Sequence, residues 1–193
     1  MFVRWFSAVK TAFDRDRAGW GPANRYEARH GGESHEGLIP SELDEAGFRR
    51  ESPAYPKLPG CHADGVVSHP EHQDLVLRYE LKSAFLRHYH SAEHNHNQDF
   101  ERLLRLEHRN GALGDIDRLR GAVDPLRVFL LVGVSWCAED EPAKLALYER
   151  HRAILLDTFA TLGGLPAPSD SCVVVGDEKP WSTVIRAWLV EQD

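Results

Sequence analysis

The sequence predicts an α/β protein with a central mixed β-sheet flanked by helices, and three observations carry that prediction. Leu75 to Lys82 alternates with a period of two, placing Leu75, Leu77, Tyr79 and Leu81 on one face and Arg78, Glu80 and Lys82 on the other. Val128 to Val134 is an unbroken apolar run, far too short to span a bilayer and suited to a buried strand. Residues 2–14 bring Phe2, Trp5, Phe6, Val9 and Phe13 together at helical spacing. A chain of 193 residues, 42% apolar and 27% charged, lies in the globular range and can bury one core. It reads as a single domain, 1–193, with a helical part over 1–50 and an α/β core over 51–193.

Taken in order, the amphipathic helix at 2–14 is stopped by Gly19, Gly21 and Pro22, and Asn24 to His30 offers a short second helix before Gly31-Gly32. Ser41 with Asp44 resembles an N-terminal capping box for a helix from Glu42 to Arg49. A proline-rich connection (Pro53, Pro56, Pro59) leads to a hairpin of Ala63 to Val67, a polar loop from Ser68 to Asp74, and Leu75 to Lys82. Residues 83–109 read as helical, as do Ile116 to Arg120, which lead into a strand from Arg127 to Trp136. Glu141 to Leu162 predicts a long helix, with Pro142 in its first turn and Gly163-Gly164 past its end. Ser171 to Val175 and Thr183 to Glu191 supply two final strands.

Composition narrows the classes of function. Cys61, Cys137 and Cys172 are widely spaced and form no CxxC pair, which argues against a disulfide framework and for a reducing compartment. Arg4 and Lys10 interrupt the apolar stretch that a signal peptide would need, so the expected localisation is cytoplasmic. The net charge of -7 gives no broad basic face for nucleic acid. Its distribution is uneven: residues 1–50 balance 8 acidic against 8 basic side chains, whereas residues 121–193 hold 11 acidic and 6 basic. No P-loop, dinucleotide fingerprint or GxSxG elbow is present.

The residues with chemistry to offer sit on the proposed hairpin. Glu80 and Lys82 are two apart on a strand and share a face, with Leu81 between them turned into the core and its carbonyl left as a further ligand. If the loop centres near Glu71 or His72, Asp64 on the partner strand lies opposite Arg78 or Glu80 and on their face; a one-residue slip destroys this. Clustered carboxylates hold a divalent cation, and a nearby ammonium orients water or stabilises developing charge on phosphorus. The competing reading is a solvated face of an edge strand.

The segments Pro59-Gly60-Cys61-His62-Ala63-Asp64-Gly65-Val66-Val67 and Leu75-Val76-Leu77-Arg78-Tyr79-Glu80-Leu81-Lys82 resemble the PD-(D/E)xK, restriction-endonuclease-like, superfamily. The run Gly114-Asp115-Ile116-Asp117-Arg118-Leu119 followed by the strand 127–136 resembles the helix-then-strand continuation of many members. The resemblance covers roughly residues 40–136. It implies a restriction-endonuclease-like core, with Asp64, Glu80 and the Leu81 carbonyl holding Mg²⁺ or Mn²⁺ and Lys82 as the catalytic lysine. Glu27, Glu42 and Glu45 are candidates for the acidic residue that many members add from the first helix. The sequence departs from the pattern in that Pro59, not the residue beside Asp64, supplies the proline.

A (D/E)xK triplet alone is unspecific, since chance supplies about one in a chain of this composition. The second match, Asp177-Glu178-Lys179, lacks an upstream strand pair with an aspartate and reads as a turn before Pro180. His88, His90, His94 and His96 follow Lys82, and on a helix His90 and His94 share a face at a zinc-binding spacing, although no HExxH is present. A solvated, pH-sensitive helix face is the plainer reading of that cluster. Cys137 has no sequence-adjacent base and reads as an idle thiol.

The expected function is metal-dependent hydrolysis of phosphodiester bonds in nucleic acid, DNA ahead of RNA, with no membrane and with a protein partner or homodimer as a further expectation. Two alternatives stand beside it: a catalytically silent member of the fold acting in binding or assembly, and a histidine-rich metal-binding protein.

Overall fold

The computed structural model describes residues 1–18, 37–87, 111–136, 172–178 and 181–192. The predicted helix at 24–30, the histidines His88, His90, His94 and His96, Glu27, Cys137 and the predicted helix at 141–162 lie outside these residues.

Helix α1 spans Phe2–Ala18 and buries Trp5, Val9, Ala12 and Phe13, an i, i+4, i+7, i+8 stripe. Helix α2, Ile39–Glu45, begins three residues earlier than the sequence predicts. The expected Ser41–Asp44 capping box is not formed: Leu38 occupies the N-cap without a side-chain hydrogen bond, and Pro40 lies in the first turn of the helix. A proline in the first turn has no N–H to satisfy, so the helix can open without a capping side chain.

The other end of α2 is locally determined. Gly47 takes φ +84°, with its N–H donating to Asp44 O and the Phe48 N–H donating to Leu43 O, both at 2.9 Å. This is a Schellman closure, and Leu43 and Phe48 are both buried in one core. The chain then turns directly into strand β1, Arg49–Arg50, whereas the sequence carried the predicted helix on to Arg49.

Five further strands follow: β2 (Gly65–Ser68), β3 (Val76–Arg87), β4 (Leu126–Trp136), β5 (Cys172–Glu178) and β6 (Trp181–Leu189). They form one mixed sheet in the order β1-β2-β3-β4-β6-β5, in which β3 and β4 are parallel and the other neighbours antiparallel. Helix α3, Ala112–Arg120, lies between β3 and β4 in the chain.

Three sequence expectations are corrected. Ser83 to Arg87 continues β3 rather than opening a helix, because the long apolar strand β4 offers a parallel partner out to Arg87↔Trp136. Asp177 and Glu178 are not a turn but the end of β5, opposite Ser182 and Trp181 after an irregularity at Val175/Asp177. Nor is β3 an edge strand with a solvated face: it lies between β2 and β4, and Arg78 and Glu80 are 3% exposed.

Alternation divides the sheet into two covered faces. Leu77, Tyr79 and Leu81 of β3, Val128, Leu130 and Val132 of β4, and Ile185 and Ala187 of β6 join α1 and α2 in the main core. On the opposite face Glu80 and Lys82 meet Arg118 and Asp115 of α3. The sheet is thus covered by helices on both sides. No helix among the described residues is long and apolar enough to cross a membrane.

Candidate functional site

The β2–β3 register centres on His72, pairing Gly65 with Tyr79 and Val66 with Arg78. Continued by one residue beyond β2, it sets Asp64 opposite Glu80. Asp64 Oδ2 accepts the Leu81 N–H at 2.6 Å, taking the place of a ladder partner where β2 ends. A strand residue sends its N–H and C=O to the same side, so the Leu81 carbonyl also leaves the sheet on the Asp64 side.

Gly65 lets this arrangement exist. A Cβ at that position would overlap the Tyr79 ring, which crosses the Gly65 backbone and packs against Trp5 with ring centroids 5.3 Å apart. The residue after Asp64 is therefore pinned between the strand pair and an aromatic side chain of the core.

Glu80 points to the α3 face and is gripped there. The Tyr55 hydroxyl donates to Glu80 Oε1 at 2.7 Å, and Arg118 Nε lies 3.5 Å from the same oxygen. Tyr55 is held in turn by Arg78, whose guanidinium lies 4.7 Å from its ring centroid. Arg78 donates to Pro53 O at 2.9 Å and pairs with Asp124. The proline-rich connection thereby becomes one wall of the site.

Lys82 reaches Asp115 on α3, with Nζ 2.9 Å from Oδ2. The ammonium is within hydrogen-bonding distance of this buried oxygen and forms an ion pair with it. Asp115 is 0% exposed and pairs through Oδ1 with Arg118, three residues on. Two charges on β3 are thus matched by two on α3, Lys82 with Asp115 and Glu80 with Arg118.

Electrostatics bind the group together. Burial pushes the Glu80 carboxyl up to about 7, with Asp64 and Asp115 adding to the rise and the Tyr55 hydroxyl and Arg118 opposing it. Burial also raises Asp115 above the ordinary aspartate range against the pull of Lys82 and Arg118, and Asp64 adds to that rise. Burial and the Glu80 carboxylate push the Tyr55 phenol upward, which keeps it a hydrogen-bond donor. For Arg118 burial disfavours the charge, but Asp115 and Glu80 outweigh it and the net shift is upward.

In kind, Asp64, Glu80 and the Leu81 carbonyl fit a hard divalent cation, since all are oxygen donors. In number they are few: among the described residues no three His, Cys, Asp or Glu side chains group as metal ligands do.

Asp64 borders a cavity of about 200 Å³ lined by Pro40, Leu43, Arg50, Pro53 and Tyr79; Glu80 and Lys82 do not line it. Glu42 and Glu45, candidates for an added acidic ligand, face elsewhere. Both pair with Arg15 of α1 and line a separate groove with Arg4, Ser7 and Thr11.

Sequence reasoning missed Tyr55, Asp115 and Arg118 as members of the group. Asp115 had a legible signal: Ala112, Asp115, Ile116 and Leu119 form the i, i+3, i+4, i+7 buried stripe of α3, and a carboxylate within such a stripe requires a partner. Tyr55 lies in an irregular, proline-rich connection with no periodicity to mark it. Compared with known proteins, the chain matches no family model, no curated protein and no solved structure.

Proposed function

We propose that this protein is a Mg²⁺- or Mn²⁺-dependent phosphodiesterase acting on nucleic acid, DNA ahead of RNA, with a restriction-endonuclease-like core. The observation that carries the reading is the register that sets Asp64 opposite Glu80, with Lys82 two residues on and on the Glu80 face. Asp64, Glu80 and the Leu81 carbonyl hold the cation, and Lys82 is the catalytic lysine. The bound cation supplies Lewis acidity and a water acidified enough to attack phosphorus near neutral pH.

The chain's own groups do the rest. The Tyr55 hydroxyl fixes the Glu80 carboxylate in one orientation. Lys82 positions the attacking water and offsets charge that develops on the phosphoryl oxygens. Arg118, at 23% exposure, adds a second cation on the same side of the site. Incubation with plasmid and with single-stranded DNA in Mg²⁺ or Mn²⁺ tests the reading. Cleavage that requires the metal and disappears in Glu80→Gln supports it; metal-dependent cleavage that survives Glu80→Gln sinks it.

A second reading is favoured by the way the charges are already matched inside the molecule, Lys82 by Asp115 and Glu80 by Arg118. On that reading the chain is a catalytically silent binding or assembly module. It takes up no divalent metal in calorimetry and is isolated in a stable complex with another protein.

A further inference from the structure

We infer that Asp115 is the positioning residue for Lys82, so that α3 belongs to the working site rather than merely covering the sheet. The inference rests on the hydrolytic reading of Lys82 for its functional consequence, but its structural content stands apart from it.

A lysine ends in a compact ammonium on a flexible four-carbon stem, and on a partly exposed face it would sample many positions. Lys82 is 26% exposed, so burial alone does not immobilise it. What can do so is a carboxylate that cannot move, and Asp115 meets that condition in three ways. It is 0% exposed, it sits within the apolar stripe of α3 beside Ile116 and Leu119, and its Oδ1 is tied to Arg118. Its other oxygen, Oδ2, faces the Lys82 ammonium at 2.9 Å.

The partition of Asp115 between two cations gives the arrangement its direction. Arg118 takes Oδ1 and leans toward Glu80, leaving Oδ2 to Lys82. The i, i+3 spacing of Asp115 and Arg118 on α3 therefore meets the i, i+2 spacing of Glu80 and Lys82 on β3, and each strand charge meets its opposite. An anchored ammonium is a preorganised one, and loss of an ångström of positional control at a reacting centre is enough to cost about a hundredfold in rate.

The chain has five lysines, so the ammonium resonances of the ¹⁵N-labelled full-length protein form a small set that can be assigned by Lys82→Arg. The proposal expects a Lys82 ammonium signal protected from exchange with water in the wild type, lost in Asp115→Asn and retained in Arg118→Gln. Because Asp115→Asn takes one carboxylate from a partly buried Arg118, the double variant Asp115→Asn with Arg118→Gln serves where the single variant does not fold; it too must lose the signal. In cleavage assays Asp115→Asn should lower kcat about tenfold to a hundredfold with KM little changed. A Lys82 signal that persists in either Asp115→Asn protein overturns the proposal. A signal lost in those variants, from a wild type that cleaves nothing, upholds the positioning role and overturns the hydrolytic reading instead.

Discussion

Lys82 Nζ lies 2.9 Å from Oδ2 of Asp115, a carboxylate on α3 that is wholly withdrawn from solvent. A charge at that depth is tolerated only with partners, and Lys82 and Arg118 supply them from two sides. Removing the carboxylate should therefore cost more than the loss of one contact. We expect Asp115→Ala to destabilise the protein by about 3 kcal/mol, read from the urea midpoint at constant m-value.

Glu80 makes stability depend on pH with a definite sign. Its carboxyl lies at about 7 in the folded chain, raised chiefly by burial, against an ordinary 4.5. Between those values the folded chain binds more protons than the unfolded one, so this contribution is fully present below the lower value and is lost as pH rises through the upper. Glu80→Gln removes the charge whose burial is costly. It should be more stable than wild type at pH 8, by up to roughly 3 kcal/mol, and lose that advantage by pH 4; denaturant curves at the two pH values decide it.

Gly65 is required by the Tyr79 ring that crosses it. Gly65→Ala forces ring and strand apart in a closely packed core, and should cost about 2 kcal/mol. Because Asp64 is the adjacent residue, the same substitution should also lower any metal-dependent cleavage. A variant with wild-type thermal stability and activity would show that the ring moves aside without cost.

Gly47 is a purely local test. Its φ of +84° closes α2, and its surroundings leave ordinary room for a methyl group. Gly47→Ala should cost about 1 kcal/mol from backbone strain alone, measured by thermal or urea unfolding, and leave metal uptake unchanged.

Much of the sheet was legible because its signals are local. The alternation from Leu75 to Lys82 identifies β3, the apolar run at 128–134 identifies β4, and a polar loop centred on His72 sets the hairpin register. What stayed hidden depends on partners distant in sequence. Ser83 to Arg87 reads locally as the start of a helix, and only the parallel pairing with β4 makes it strand. The burial of Arg78 and Glu80 depends on Tyr55, Asp124 and Arg118, which reach them from sequence separations of 25 to 46 or from another layer. Local pattern likewise favoured Ser41 as the residue before the helix, whereas the helix begins at Ile39, three residues before Glu42, with Pro40 in its first turn.

The central claim is that Asp64 and Glu80 hold one divalent cation beside Lys82. Calorimetric titration of the full chain with Mn²⁺ near pH 8, where Glu80 is ionised, tests it without requiring a substrate. The account predicts one ion bound per chain, with binding lost in Asp64→Asn and in Glu80→Gln and retained in Asp177→Asn. No heat of binding in the wild type, or binding unaffected by both site substitutions, would contradict it.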